Sequence, residues 1–106
     1  MLNPKQKAFL KGLAQKEKAV FQIGKDGLSD NLLNDVLNYL NKHELIKLSV
    51  LQNSDVVEEE LIEFFEEAGI EFVEHKGRTY VFYMKSLNAK NPIILPNKKW
   101  LIWLPW

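Results

Sequence analysis

The chain has 106 residues, 14 basic and 14 acidic side chains, no cysteine and a formal net charge of zero. That length fits one domain, and 46% apolar residues are enough for a core, which argues against global disorder. The lack of cysteine excludes disulfide scaffolds, zinc ribbons and thiol enzymes. No apolar run approaches the roughly 20 residues that a membrane helix needs, and no apolar segment follows the basic N-terminus, so we expect a cytoplasmic protein.

The zero net charge hides a segregation along the chain. Residues 1–54 carry eight Lys and five acids, residues 55–74 carry nine acids and no base, and residues 75–106 carry five Lys and Arg78 with no acid. A folded molecule could therefore show one acidic and one basic face, and such patches set the local potential. The segregation is therefore compatible with a nucleic-acid partner. Acids gathered on one solvated helix are the simpler explanation of it.

The N-terminal half predicts a helix, a strand and a second helix. Asn3 is a suitable N-cap and Pro4 suits the first helical position, so the first helix begins there. A short β-branched and aromatic run then stops at Gly24, as a strand does before a loop. Ser29 caps a second helix whose apolar residues share one face. These elements span residues 4–17, 19–23 and about 29–43.

The C-terminal half predicts a strand, a third helix and a hairpin. Residues 45–52 alternate between apolar and polar, as a half-buried strand does. Asp55, with Glu58 three residues later, forms a capping-box pattern for a helix that stops at Gly69. The last strand is apolar on both faces, so we expect it in the centre of the sheet or covered on its second face. The hairpin strands span residues 70–75 and 79–85 and are joined at Lys76-Gly77.

The order α-β-α-β-α-β-β specifies the fold class. Strands that alternate with helices give right-handed crossovers and parallel neighbours, and the closing hairpin adds an antiparallel pair. We therefore expect an α/β protein, a compact sandwich with a four-stranded mixed sheet. On the third helix, Val57 belongs to the apolar stripe that faces the core. The glutamates lie on the opposite side, where a solvated face explains them better than a carboxylate pair for acid–base catalysis.

The sequence offers little support for an enzyme. His43 and His75 are the side chains that titrate near neutral pH when unperturbed, and neither has a partner at metal-ligand spacing. The sequence has no Gly-x-Ser-x-Gly nucleophile elbow. We therefore expect no catalysis, metal, cofactor or small-molecule substrate.

The segment Gly24-Lys25-Asp26-Gly27 is a local feature that could bind a phosphate. It follows a strand and opens a helix, so a phosphate could approach its glycine backbone and the free N–H groups of the helix N-terminus. A GxxG loop before a helix is also how KH modules clamp a nucleic-acid backbone. A β-to-α turn requires glycine for conformational reasons alone, so the motif by itself favours a simple turn.

Several segments together resemble one family. KQKAFL at 5–10, FQIGKDG at 21–27, DN at 30–31, HELIK at 43–47 and VLQN at 50–53 are similar to the bacterial YhbY family, stand-alone versions of the CRM domain. The resemblance covers roughly residues 2–96 and implies a fold close to the C-terminal domain of translation initiation factor three. It also implies binding to ribosomal RNA of large-subunit precursors, as an assembly factor without catalysis. The family's GxxG loop and nearby basic surface contact RNA, which implies that role here for Gly24, Lys25, Asp26 and Gly27 and, around them, for Lys5, Lys7, Lys11 and Lys47.

The sequence departs from the family pattern in two places. Asp26 stands where a family member often has glycine or a basic residue, and an acid beside a phosphate weakens the loop's affinity. Residues 97–106 lie beyond the resemblance and contain all three tryptophans. This tail could stack on RNA bases or dock elsewhere, but packing or disorder is the simpler interpretation. The predicted division is a CRM-like RNA-binding domain at 1–96 and a Trp-rich tail at 97–106.

Two functions follow as hypotheses. The first is RNA binding, made mostly to the phosphate backbone by lysines and loop amides. The second is a protein interaction module whose acidic third helix docks a basic ribosomal protein. Under the first, six lysines against Glu17 in residues 1–25 predict one basic surface that includes the loop and lies away from the third helix.

Overall fold

The computed structural model describes residues 2–89 and residue 93, so the predicted tail at 97–106 lies outside the described residues. Within them, helices and strands follow the predicted order α-β-α-β-α-β-β. None of the helices in this part has the length and apolar composition needed to cross a membrane. The helices are α1 (Pro4–Ala14), α2 (Asp30–His43) and α3 (Glu58–Glu66), and the strands are β1 (Phe21–Ile23), β2 (Leu45–Val50), β3 (Glu71–Lys76) and β4 (Thr79–Tyr83).

The first two helices begin where their capping residues predict. The Asn3 side chain accepts a hydrogen bond from the Gln6 N–H at 2.8 Å, and the Gln6 side chain accepts one from the Asn3 N–H at 3.0 Å. Ser29 Oγ accepts a hydrogen bond from the backbone three residues later at 3.1 Å, as predicted. α1 ends at Ala14 rather than at the predicted Glu17, because the Glu17 N–H bonds to the Ala14 carbonyl in a tighter i to i+3 turn.

The predicted cap of the third helix is wrong. α3 begins at Glu58 with Val57 at the N-cap, and within the described part of the chain no side chain caps its first turn. Asp55 lies too early to cap it, because the Ser54 hydroxyl accepts a hydrogen bond from the Val56 N–H and forms a separate turn there. Val57 was also predicted to face the core, and it is instead 55% exposed.

The four strands form one mixed sheet in the order β1-β2-β4-β3. β1 and β2 are parallel, and β4 pairs antiparallel with both β2 and β3. The central position of β4 confirms the prediction made from its two apolar faces. The hairpin turn lies at Gly77-Arg78 rather than at Lys76-Gly77, because Lys76 still pairs with Thr79. Gly77 has φ +60°, a left-handed angle that suits glycine.

Helices cover both faces of the sheet. α2 and α3 pack on one face through a cluster that includes Val36, Leu40 and Phe65, and α1 packs on the other through Leu10 and Ala14. β2 is therefore more buried than the predicted half-buried strand, since its first residues contact both clusters. Among the described residues, a groove lies on this second face beside the end of α1.

Candidate functional site

One end of the sheet brings together three connecting segments. The Leu51 N–H donates to the Ile23 carbonyl at 2.8 Å, and the Val50 N–H donates to the Arg78 carbonyl at 2.8 Å. These bonds join the end of β1, the end of β2 and the hairpin turn. We term this the loop end of the sheet. Its segments are the loop 24–27, the linker 51–57 and the turn 77–78.

The loop 24–27 is a tight turn. The Gly27 N–H donates to the Gly24 carbonyl at 3.1 Å, and Gly27 has φ +65°. Lys25 and Asp26, between the two glycines, are exposed. The left-handed angle explains Gly27 by backbone conformation, and the exposed Lys25 leaves the loop free to meet a ligand.

A groove of about 880 Å³ separates the loop from α3, and Lys25 and Gly27 both line it. The predicted separation of the loop from the third helix is therefore wrong. The cause is the linker, because a Cβ on Gly27 would lie 3.5 Å from a methyl group of Val56, so the start of α3 is held against the loop. We term this the acidic groove. The acids that line it are Asp55, Glu59, Glu60, Glu63 and Glu67.

A second groove, of about 610 Å³, lies on the opposite face of the sheet beside the end of α1. Lys11 of α1, Lys47 of β2 and Lys76 of β3 line it. Glu74 is the acid that lines it, and it lies 3.5 Å from the Lys11 ammonium in a partly exposed ion pair. Among the described residues, three lysines and one acid line it, and we term it the basic groove. Its other lining residues are Ala14, Gln15, His75, Thr79 and Val81.

Lys47 is held in place at the floor of the basic groove. Its ammonium donates hydrogen bonds at 3.3 Å to the carbonyl oxygens of Ala14, the last residue of α1, and of Glu17 in the turn that follows. The Ala14 carbonyl belongs to the negative end of the helix dipole, which favours a cation there. An ammonium has three N–H donors, so Lys47 retains one for an anion in the groove.

The predicted site residues divide between different surfaces. Lys11 and Lys47 meet in the basic groove, together with Lys76, which the sequence had assigned to the hairpin junction. The signal for Lys76 was present in the basic segment after residue 75. Lys5 is exposed and Lys7 half-buried on α1, and neither lines a groove described above. The loop residues Gly24, Lys25, Asp26 and Gly27 stay together at the loop end.

Sequence reasoning missed a buried carboxylate, Glu44, which is 1% exposed. Glu44 follows α2 with φ +65°, and its two carboxylate oxygens accept hydrogen bonds at 2.7 Å from the N–H groups of Ser86 and Ile93. Burial, with Glu44 and Glu71 nearby, raises the pKa of Tyr83 to about 12. The sequence did contain a signal for an unusual residue here, because Glu44 stands between a helix and a strand where glycine is common. Glu44 holds the segment after β4 and takes no part in either groove.

Both histidines have contacts that support the fold. His75 Nε2 lies 2.9 Å from Glu58 Oε1 and links β3 to α3, and its ring stacks on Tyr80 at 5.2 Å. His43, in the last turn of α2, packs against Tyr39 with ring centroids 4.3 Å apart. Within residues 2–89 and residue 93, no group of three or more His, Asp or Glu side chains could hold a metal ion.

Comparisons with known proteins agree on one family. The family model of the CRS1 / YhbY (CRM) domain matches residues 2–84. The chain is 36% identical over 91 residues to the Bacillus subtilis protein named "Probable RNA-binding protein YqeI", covering 85% of this chain and 95% of that protein. It is 38% identical over 98 residues to a Haemophilus influenzae protein named "RNA-binding protein", covering 92% and 97%. The solution structure of protein SAV1595 from Staphylococcus aureus superposes with a TM-score of 0.74 at 39% identity, covering 91% of this chain and 100% of that one.

Proposed function

Because the chain belongs to the CRS1/YhbY (CRM) domain family, we propose that it binds RNA. Two relatives named as RNA-binding proteins match it over 95% and 97% of their own length, so nearly all of each relative aligns with this chain. The contact in this chain is proposed to be the basic groove, with the loop 24–27 as a second contact.

The basic groove is the observation that carries the proposal. Lys11, Lys47 and Lys76 converge there on the face of the sheet opposite α3 and its glutamates. Each phosphate that such lysines neutralise releases counterions, which makes binding favourable and dependent on salt. Among the described residues, no Phe, Tyr or Trp lines this groove, and the ring of His75, which does line it, already stacks on Tyr80 and contacts Glu58. The expected contact is with phosphates, with modest sequence preference.

The loop contributes less to this proposed contact than the lysines do. The family resemblance supports a role for the loop, and its backbone leads into the N-terminus of α2, where phosphate is favoured. Asp26 and the neighbouring acidic groove lower the local potential. We therefore expect the basic groove to supply most of the affinity.

The finer proposal names the RNA and its context. The family resemblance supports ribosomal RNA in precursors of the large subunit as the partner. The protein would act there as a cytoplasmic assembly factor that performs no catalysis itself. Crosslinking in cells would test this proposal, since the recovered RNA should be enriched in large-subunit precursor sequences. Recovery of small-subunit RNA or transfer RNA instead would contradict the assembly role while leaving RNA binding intact.

The groove itself is tested by charge reversal. Lys11→Glu combined with Lys76→Glu should weaken binding to a labelled transcript of large-subunit precursor RNA by 10-fold or more at low salt, because two phosphate contacts become repulsive. Lys42→Glu combined with Lys85→Glu is the matched control, since both lysines are exposed and neither lines the groove. Fluorescence anisotropy would measure both affinities. Equal losses in the two double variants would show that net charge, and not the groove, determines binding.

A further inference from the structure

The acidic groove has an apolar floor. Leu28 of the loop side, Val56 of the linker and Phe64 of α3 are partly buried and line it together. Val57, at its edge, is 55% exposed. The five acids therefore surround apolar surface. On a helix face that meets only solvent, no apolar side chains would lie among the acids.

Val57 occupies a position where another residue type would stabilise the helix. It is the N-cap of α3, where Ser, Thr, Asp or Asn would accept hydrogen bonds from the first turn, and no side chain does so here. The chain thus leaves a helix end uncapped and an apolar side chain exposed at the same point. Natural proteins break local rules of this kind at functional or strained sites.

We propose that the acidic groove docks a basic polypeptide segment, rich in Lys and Arg, which places one apolar side chain against Val57 and Phe64. The sign of the charge selects this partner, because five carboxylates around the groove repel RNA and attract cationic side chains. The apolar floor favours a polypeptide over an inorganic cation, which has no apolar part. This docking goes beyond RNA binding and does not depend on it.

The two grooves can be occupied together. The basic groove lies on the α1 face of the sheet, and the acidic groove lies against α3, which packs on the other face. A basic protein held in the acidic groove therefore leaves the lysines of the basic groove exposed to RNA. The carboxylates would steer the encounter and the apolar contact would slow dissociation.

The test uses a synthetic 12-residue peptide of Lys and Arg with two central leucines, titrated into the ¹⁵N-labelled full chain. Chemical-shift changes should fall on residues 25–28 and 55–64. A second peptide with the leucines replaced by serine should bind at least fivefold more weakly. Shifts confined to other parts of the chain, or equal affinity for the two peptides, would overturn the proposal.

Neutral substitutions test whether the peptide binds in the acidic groove or is attracted to acidic residues in general. Glu59→Gln, Glu60→Gln and Glu63→Gln together should weaken binding of the leucine peptide by 10-fold or more at low salt. The matched control removes three acids that do not line the groove, through Glu17→Gln, Asp35→Asn and Glu66→Gln. If the control triple variant loses as much affinity, the attraction is non-specific and the proposal fails.

One substitution should raise stability and lower peptide affinity together, a combination that damage to the fold would not produce. Val57→Ser supplies the missing cap to α3, so the denaturation midpoint should rise while affinity for the leucine peptide falls several-fold. Val20→Ser is the control, because Val20 is a comparably exposed valine at 43% that lies outside the groove. Unchanged peptide affinity in Val57→Ser would contradict the apolar contact that the proposal places at Val57.

Discussion

The ammonium nitrogen of Lys47 lies 3.3 Å from the carbonyl oxygen of Ala14, the last residue of α1. A second bond of the same length joins it to the Glu17 carbonyl. One strand lysine therefore completes the end of a helix and lines the basic groove. Lys76, on the same groove, is exposed and makes no comparable bond among the described residues.

This difference predicts different effects of neutralising the two lysines. Lys47→Met should lower the free energy of unfolding by about 1 kcal/mol, because it removes hydrogen bonds at the end of α1. Lys76→Met should change it by no more than about 0.5 kcal/mol, as is usual for exposed positions. Each variant should reduce the salt dependence of RNA affinity by about one phosphate. Urea titration and anisotropy over a salt series measure the two quantities, and equal stability losses would contradict the capping role of Lys47.

Glu44 predicts a larger loss of stability. Glu44→Ala removes the acceptor of two buried N–H groups, those of Ser86 and Ile93, and should cost about 3 kcal/mol or more. Glu44→Gln keeps one acceptor oxygen and should fall between Ala and the wild type. Glu66→Ala, at an exposed helix position, is the control and should stay within about 0.5 kcal/mol. A loss below about 1 kcal/mol for Glu44→Ala in guanidinium titration would show that the carboxylate does not hold this segment.

The fold was predictable where local chemistry decides it. Asn3 and Ser29 mark helix ends because their side chains bond to backbone only three residues away, and that pattern is visible in the sequence. The start of α3 was not predictable in this way. Asp55 offered a good capping pattern, but the turn that Ser54 closes uses that part of the chain, and Val57 becomes the N-cap.

The site was predictable only in its residue types. Lysines near the N-terminus pointed to a basic surface, yet the meeting of Lys11 and Lys47 depends on how α1 packs across β2. The sum of charges along residues 1–25 placed Lys25 with them. The linker instead holds α3 beside Lys25, a tertiary contact that no count of charges can show.

Tyr83 predicts a loss of stability in alkali. The folded pKa is raised to about 12 by burial and by nearby Glu44 and Glu71, whereas tyrosine in an unfolded chain has a pKa of about 10. Between these values the unfolded state loses its proton and the folded state keeps it, so stability falls as pH rises. Tyr83→Phe should flatten this fall. Urea midpoints at pH 9, 10 and 11 would measure it, and parallel pH dependence in the two proteins would contradict the shift.

Two truncations test the predicted division of the chain at residue 96. Ile93 packs against the α1 cluster, and its N–H bonds to Glu44. A chain that ends at residue 96 keeps both contacts and should unfold cooperatively with nearly unchanged stability. A chain that ends at residue 92 should lose about 1 to 3 kcal/mol, because one buried acceptor oxygen loses its partner. Loss of cooperative unfolding in the longer chain would place the domain boundary beyond residue 96.

A charge reversal at Lys25 should change the affinities for the two proposed partners in opposite directions. Lys25→Glu should leave the fold intact, since the side chain is exposed between two glycines. It should weaken RNA binding and reduce the salt slope by about one phosphate, because the new acid joins Asp26 beside the N-terminus of α2. The same change adds a sixth carboxylate to the acidic groove and should strengthen binding of the basic leucine peptide. Circular dichroism checks the fold, and anisotropy measures both ligands on one preparation. Wild-type RNA affinity at low salt would remove the loop from the RNA contact and leave the basic groove to carry it, and weaker peptide binding would contradict docking in the acidic groove.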